Sequence, residues 1–191
     1  MRPIYAVFFS TPILLGSCDI STTADGAFLW QLRKYCGDAF RGTIVSTDAV
    51  DEAWRKEHII MHVRGCTDDE IKIAFHVGED RSRTWVLRYE DGHLALRHDH
   101  RHEDGTRDAV TLYGGTAATI TPTRISFPAD RLTKEMFERE NISASNANIW
   151  AIDLDRSNKI FAYEMMRPNR SFRVEFDTST PVDTPPDPWG W

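Results

Sequence analysis

Four of the seven histidines of this chain lie between residues 93 and 102, and three of them alternate with charged residues. His98, His100 and His102 are spaced two residues apart, so in a β-strand their side chains project from one face. Leu94 and Leu96 fall on that same face, which predicts that the imidazoles point toward the core near the end of the strand. An imidazole can bind a metal ion, exchange a proton near neutral pH or hydrogen-bond a polar ligand.

The turn before this strand sets its register against the preceding strand. The Asp-Gly pair at residues 91–92 suits a two-residue type I′ turn, in which both central residues need a positive φ. With that turn, Trp85 faces His98 and Arg83 faces His100, and the apolar residues of both strands share one face. The pairing therefore predicts an aromatic ring and a guanidinium beside the two imidazoles.

The turn after the histidine strand is predicted to be a three-residue loop at residues 103–105, with the glycine left-handed. This loop places Val110 beside His98 and Asp108 beside His100. A two-residue turn would instead move the apolar residues to the other face, because a slip of one residue inverts a whole strand. The predicted inward cluster then consists of Arg83, Trp85, His98, His100 and Asp108, with Arg81 and His102 toward the rim.

A metal site is the first of three interpretations of this cluster. His98 and His100 are close enough on one strand to chelate a single ion, and Asp108 is placed as a third ligand or as an acceptor for a ligating imidazole. Arg81 and Arg83 on the same face oppose a cation electrostatically. The corresponding function is a metal-dependent enzyme, and no other cofactor is predicted.

A pocket for a small anionic or amphipathic ligand is the second interpretation. Arginine and protonatable histidine side chains suit a carboxylate or phosphate, and an indole can pack against an apolar part. The expected ligand-binding residues are Arg81, Arg83, Trp85, His98, His100 and Asp108. In the third interpretation the same groups only form Arg–Asp and His–Asp pairs that close one end of the domain. That alternative corresponds to an envelope scaffold or interaction protein without a pocket.

The rest of the sequence favours binding over catalysis. It contains no G-x-S-x-G, no P-loop, no G-x-G-x-x-G and no H-E-x-x-H motif. The chain holds 29 acidic residues against 23 Lys and Arg, which gives a formal net charge of −6. Proteins that bind nucleic acid usually present a basic face, so this balance argues against nucleic acid as a partner.

Hydrophobic periodicity predicts a mainly β fold. Apolar and polar residues alternate in about ten short segments separated by turn residues, as is typical of antiparallel strands with one face toward water. A helix is predicted at about residues 26–36 with Asp25 as its N-cap. A second helix, at about residues 130–140, would bury one face: Leu132, Met136 and Phe137. The succession predicts an antiparallel meander closed into a barrel, with a β-sandwich as the alternative. In outline this architecture resembles the calycin group of ligand-holding barrels.

The first 18 residues have the pattern of a targeting signal. Met1-Arg2 precede an apolar run over residues 4–15, which predicts a secretory signal peptide and is shorter than the roughly 20 residues of a membrane-spanning helix. The tetrad at residues 15–18, Leu-Gly-Ser-Cys, resembles the lipobox of bacterial lipoproteins. The resemblance implies removal of residues 1–17, lipid on Cys18 and a periplasm-facing position in the cell envelope. Asp19 resembles the inner-membrane retention signal of enteric bacteria.

The remaining chain is expected to form one domain. Residues 18–24 are predicted to form a tether and residues 25–191 a single β-rich domain that ends in a Pro- and Trp-rich strap. With Cys18 lipidated, Cys36 and Cys66 remain as a pair that an oxidising compartment favours as a disulfide; two separate buried thiols are the alternative. The runs at residues 76–85 and 98–105 resemble segments of uncharacterised bacterial secreted proteins, a resemblance that implies no activity.

Overall fold

The structure is a computed structural model that describes residues 23–191, so Cys18, the tetrad that resembles a lipobox and most of the predicted tether lie outside the described residues. Its helices are α1 (Ala24–Leu32) and α2 (Arg131–Arg139). Its strands are β1 (Ala39–Ile44), β2 (Ile59–Cys66), β3 (Glu70–Val77), β4 (Asp80–Glu90), β5 (His93–His100), β6 (Tyr113–Thr116), β7 (Thr119–Ile120), β8 (Arg124–Pro128), β9 (Ile149–Asp155), β10 (Ile160–Arg167) and β11 (Arg170–Asp177).

All eleven strands belong to one antiparallel sheet, in the order β6-β5-β4-β3-β2-β1-β11-β10-β9-β8-β7. The sheet curls into a half-barrel around a single core of buried apolar and aromatic side chains. The predicted antiparallel meander is confirmed, with eleven strands instead of about ten. Because the sheet is continuous, the β-sandwich alternative is wrong. Alternation along each strand positions the core, since one set of side chains lines the concave face and the other faces outward.

The two edges of the half-barrel approach each other where β6 passes the end of β8. The N–H of Asp130 donates to the carbonyl of Gly114 at 3.0 Å. The Thr133 hydroxyl of α2 accepts from the Gly114 N–H and donates to the Gly114 carbonyl, at 2.8 and 2.9 Å. A Cβ atom on Gly114 would lie 1.8 Å from the Leu96 carbonyl oxygen, and one on Gly115 would lie 1.8 Å from the Pro128 carbonyl oxygen. The glycine pair is therefore required by close backbone contact.

Both predicted helices are present, with corrected details. The side chain of Thr23, not Asp25, caps α1 by accepting from the Gly26 N–H, and α1 ends at Leu32 with a 3-10 turn after it. The predicted second helix begins at Arg131, and the side chain of Asp130 caps it by accepting from the Thr133 N–H. Leu132 was predicted to face inward but is 61% exposed, because it points away from the sheet edge that Thr133 and Phe137 contact. No helix within residues 23–191 is long and apolar enough to cross a membrane.

The predicted pairing of Cys36 with Cys66 is present as a disulfide with a Cα–Cα distance of 6.4 Å. It joins the segment before β1 to the end of β2.

The C-terminal strap crosses the outer face of the sheet. Asp187 accepts a hydrogen bond from Arg64 through its carboxylate and one from Arg81 through its backbone carbonyl, each at 3.0 Å. The backbone N–H of Trp189 donates to the Arg81 carbonyl at 3.0 Å, and the Lys72 ammonium lies 4.3 Å from the ring centroid of Trp191. The strap is therefore an ordered part of the domain, held by residues of β2, β3 and β4.

We expect Gly114→Ala to lower the free energy of unfolding by about 3 kcal/mol or more, because the new methyl group would collide with backbone that has no room to move. Gly65→Ala is the matched control: its Cβ would meet Lys72 side-chain atoms at 3.4 Å or more, which is ordinary contact. Urea denaturation of both variants measures the difference. Equal stability of the two variants would contradict the close approach of β6.

Candidate functional site

The concave face of the half-barrel encloses a cavity of about 460 Å³. Residues from seven strands, α2 and the connecting loops line it: Val50, Asp51, Trp54, Phe75, Arg83, Trp85, His98, His100, Val110, Tyr113, Phe137, Ile142, Ser145, Asn148, Trp150, Tyr163, Met165, Arg170 and Phe172. The cavity reaches solvent beside Val50, which is 72% exposed, and Ile142, which is 38% exposed.

Stacked aromatic rings form one wall of the cavity. Trp85 of β4 stacks on Tyr163 of β10 at a centroid distance of 4.1 Å and on Phe75 of β3 at 4.9 Å. His98 stacks on Tyr113 at 4.6 Å, and Trp150 packs against the same imidazole at 5.0 Å. These rings come from strands in both halves of the strand order, β3 to β6 on one side of β1 and β9 and β10 on the other. The curvature of the half-barrel brings them together.

His98 is a neutral imidazole with both ring nitrogens occupied. Its Nδ1 lies 3.1 Å from the backbone carbonyl of Tyr113, which can only accept, so Nδ1 carries the hydrogen. Its Nε2 lies 2.7 Å from the Tyr163 hydroxyl and accepts from it. Burial, followed by the nearby His100, lowers the pKa of His98 to about 3. A ring that is 2% exposed and fully hydrogen-bonded has no nitrogen left for a metal ion.

The ring of His100 makes one hydrogen bond to the described residues, whereas the ring of His98 makes two. Its Nε2 lies 3.1 Å from the Tyr113 hydroxyl, and its backbone N–H donates to the Thr111 hydroxyl at 2.8 Å. No group in the described residues hydrogen-bonds Nδ1. Burial, followed by the charge of Arg83, lowers the pKa of His100 to about 4, although nearby carboxylates act in the opposite direction. Burial also raises the pKa of the Tyr113 phenol.

Arg83 carries unused hydrogen-bond donors at the cavity. One guanidinium nitrogen, Nη1, is paired with the Asp80 carboxylate. The guanidinium lies over the ring of Trp54, 4.6 Å from the centroid. Among the described residues, Nε and Nη2 of Arg83 donate to no other group. They are the positively charged donors of the cavity wall that a ligand can reach.

Arg170, by contrast, is occupied by carboxylates. It donates to both oxygens of Asp51, at 2.6 and 2.7 Å, and to Asp48 at 3.0 Å. Asp51 lines the cavity but has its two oxygens engaged by this guanidinium. The Arg170–Asp51 pair therefore stabilises the cavity rim and adds little unpaired charge of either sign.

Four of the six predicted ligand-binding residues line the cavity: Arg83, Trp85, His98 and His100. The predicted register of β4 and β5 is confirmed, since Trp85 pairs with His98 and Arg83 with His100. The turn at residues 91–92 has the predicted geometry, with φ values of 51° and 79°. Turn chemistry and periodicity were sufficient for this half of the site.

The prediction for the segment after β5 is correct as far as Asp108, whose backbone N–H donates to the His100 carbonyl at 3.1 Å, and is wrong beyond it. The loop at residues 103–105 forms, and Arg101 pairs with Arg107 as its three-residue length requires. Tyr113, however, takes the place opposite His98 that Val110 was expected to hold. The difference of three residues is taken up between residues 108 and 112. There the Asp108 carboxylate accepts from the Val110 N–H and Leu112 adopts a positive φ of 57°.

Asp108 and Arg81 are consequently not cavity residues. The Asp108 carboxylate turns into this loop, and its charge opposes the lowering of the His100 pKa. The register between β3 and β4 shifts between Phe75 and Val77, and this shift breaks the alternation that would place Arg81 on the same face as Arg83. Arg81 contacts the strap instead of the cavity. His102, predicted near the rim, is exposed and does not line the cavity.

The sequence-based cluster missed several residues of the site. Tyr163, Trp150 and Arg170 belong to strands that follow β5 by about 50 residues or more, and only the curling of the sheet places them opposite β4 and β5. Tyr113 was missed through the register error. Trp54 lies in a 3-10 turn, where no alternation indicates which way a ring points.

The arrangement does not resemble a metal centre. Within residues 23–191, no three His, Cys, Asp or Glu side chains are placed to bind one ion. His98, the first predicted ligand, uses both ring nitrogens within the protein. The guanidinium of Arg83 directly opposes a cation beside His100.

Comparison with known proteins gives no relative to guide the interpretation. The chain matches no protein-family model, no curated protein and no solved structure. Its function has to be inferred from the chemistry of the cavity.

We expect acidification to destabilise the fold through His98. Its folded-state pKa, about 3, lies below the ordinary 6.5, so the stability it contributes is complete above pH 6.5 and is lost as the pH falls. For one such histidine the loss between pH 7 and pH 5 is about 2 kcal/mol. Urea denaturation at several pH values measures this slope, which should be shallower in His98→Gln and unchanged in the exposed-histidine control His102→Gln. Identical slopes in all three proteins would contradict a neutral, buried His98.

Proposed function

We propose that this protein binds a small amphipathic molecule in the cavity of the half-barrel, without converting it, and does so as a lipid-anchored protein of the bacterial cell envelope. The observation that carries the proposal is the aromatic cavity that opens to solvent and contains the unused donors of Arg83. Neither an enclosed core nor a flat surface would combine these features.

The size and walls of the cavity support an apolar body for the ligand. A volume of about 460 Å³ falls within the range of roughly 300–1,000 Å³ that is common for small-molecule sites. Trp54, Phe75, Met165 and Phe172 present apolar surface to it. Transfer of an alkyl or aromatic group into these surroundings gains roughly 0.8 kcal/mol for each buried methylene.

The polar groups of the lining support a ligand whose head accepts hydrogen bonds. The Asp51 carboxylate is occupied by Arg170, and the Nε2 acceptor of His98 is occupied by Tyr163. Donors remain at Arg83 and at the side-chain amide of Asn148, whose Nδ2 donates to no described group. A carbonyl, carboxylate or phosphate would satisfy them, whereas an ammonium would not.

The titratable groups of the cavity support binding rather than acid–base catalysis. In the protein without ligand their pKa values lie far from neutrality, with His98 at about 3, His100 at about 4 and the two tyrosines raised by burial. General acid–base catalysis is most effective when the pKa lies near the working pH. Ser145 accepts from Arg167 and is not hydrogen-bonded to any described histidine, so it has no base to activate it.

The lipobox supports the proposed location. Cys18 lies five residues before Thr23, the first described residue, so lipid on this cysteine would hold the domain close to the bilayer surface. Stable membrane attachment needs more than one acyl chain, which the lipidation of bacterial lipoproteins would supply. The resemblance of Asp19 to a retention signal favours the inner membrane.

We expect the protein to bind the neutral fluorophore N-phenyl-1-naphthylamine with a rise in its emission, and expect Val110→Trp to weaken this binding at least 10-fold by filling the cavity. Val110 lines the cavity from the loop before β6. Val45→Trp adds the same bulk at an exposed site away from the cavity and should bind like the parent protein. Fluorescence titration measures all three affinities. Equal affinity of the two tryptophan variants, or no binding by any of them, would refute the cavity as a ligand site.

We expect the full-length protein, produced in a bacterium, to partition into the detergent phase of Triton X-114 and to incorporate radiolabelled palmitate. The substitution Cys18→Ser should abolish both, because the thiol is the acylated atom that the lipobox resemblance implies. Cys36→Ser, which leaves Cys18 intact, is the control and should still be labelled. Labelling that survives Cys18→Ser would contradict the proposed anchor.

A further inference from the structure

We propose that the ligand head is an oxyanion, bound between Arg83 and His100, and that its binding places a proton on His100. The inference rests on the proposed function of the cavity and specifies the chemical class of its ligand: an amphipath with a carboxylate, sulfonate or phosphate head.

The geometry of β4 and β5 places the two residues side by side. Arg83 and His100 are direct register partners and both line the cavity. Nε and Nη2 of Arg83 and Nδ1 of His100 have no partner among the described residues. A planar or tetrahedral oxyanion in front of this pair would accept two charge-assisted hydrogen bonds from the guanidinium, which is the strongest recognition this lining offers.

The charge balance around Arg83 explains why a proton must accompany the anion. Arg83 is already neutralised by Asp80, so an added anion leaves one negative charge without compensation. A net charge in a cavity with aromatic walls is costly to desolvate. Of the two histidines among the described residues that line the cavity, His98 uses both ring nitrogens within the protein, so His100 is the group that can gain a positive charge beside the anion.

The two histidines of the cavity are not equivalent in this respect. Protonation of His98 would place a hydrogen on Nε2 and break the hydrogen bond that Nε2 accepts from Tyr163. His100 can take up a proton at a nitrogen with no hydrogen-bond partner among the described residues while the other nitrogen stays with the Tyr113 hydroxyl. The charged and titratable groups around His100 are Arg83 and Asp80 of β4, His98 and Asp99 of β5, Asp108 of the following loop and Tyr113 of β6. The charges of Asp108, Asp80 and Asp99 all favour protonation of His100. Asp80 is paired with Arg83 and Asp99 with Arg101, whereas Asp108 has no arginine partner among the described residues.

The coupling has a measurable size. The pKa of His100 in the free protein is about 4, and an adjacent oxyanion that restores it to the ordinary 6.5 makes the anion bind about 30-fold more tightly at pH 5 than at pH 8. Binding near pH 6 should then take up most of one proton per ligand. A neutral ligand of the same length should show neither effect.

The test compares 1-octanesulfonate with 1-octanol. The sulfonate stays ionised throughout this pH range, so any pH dependence belongs to the protein. Isothermal titration calorimetry at pH 6, in two buffers of different ionisation enthalpy, measures the proton uptake directly. We expect uptake of most of one proton with the sulfonate and of none with the alcohol. Because this measurement uses the unsubstituted protein, it does not depend on how variants fold.

Three variants assign the uptake to its residues. Arg83→Gln should weaken sulfonate binding at least 10-fold and leave octanol binding within twofold, since only the anion uses the guanidinium. His100→Gln should abolish proton uptake and the pH dependence. His102→Gln, a change at an exposed histidine two residues away, should behave like the parent protein.

The outcomes separate this inference from the proposed function. If both probes bind and the sulfonate binds without proton uptake, or if uptake persists in His100→Gln, the oxyanion site is refuted while the cavity remains a ligand site. If octanol binds and the sulfonate does not, the same conclusion holds. If neither probe binds, the proposed function fails and this inference fails with it.

Discussion

The close approach of β6 to its neighbours is the constraint on which the rest of the structure depends. A single eleven-stranded sheet has two edges, and this one curls until the edges are in contact through Gly114 and Gly115. Only residues without a Cβ allow the carbonyls of Leu96 and Pro128 to come so near. The same approach sets Tyr113 against His98 and positions α2, through Thr133, over the gap. The curvature that brings these edges together also forms the concave face that encloses the cavity.

Inside the cavity the protein keeps histidine neutral by surrounding it with aromatic rings. His98 is held between Tyr113, Trp150 and Tyr163, and its two hydrogen bonds leave one tautomer. Such a ring contributes shape and a fixed polarity but no reactivity near neutral pH. His100, two residues further along β5, lies at the border between this apolar wall and the guanidinium of Arg83. The chemistry of the site is therefore concentrated at one end of one hairpin.

Local sequence signals predicted the β4–β5 hairpin, whereas the other residues of the cavity are positioned by the curvature of the whole sheet. The Asp-Gly turn at residues 91–92 determined which side chains of β4 and β5 are neighbours, because turn type and register are linked over a short distance. The loop at residues 103–105 was also correct, but residues 108–112 leave the sheet before β6 begins, and no periodicity marks such an excursion. Tyr163 and Arg170 reach the cavity from strands far along the chain. Their placement follows from how strongly an eleven-stranded sheet coils, which alternation within single strands does not encode.

The distribution of charge in the cavity gives it a preference despite the acidic composition of the chain. Asp51 lines the cavity and is engaged by Arg170, and Asp80 is engaged by the lining residue Arg83, so neither carboxylate is a free acceptor for a ligand. The bidentate pair of Arg170 leaves little for a ligand, whereas the single contact of Arg83 leaves two of its nitrogens unused among the described residues. A cation would meet this guanidinium and find neither a free carboxylate nor a free imidazole at His98. Selectivity for a ligand head that accepts hydrogen bonds thus arises from a difference between two ion pairs. Asp51 occupies both terminal nitrogens of Arg170, whereas Asp80 occupies one nitrogen of Arg83.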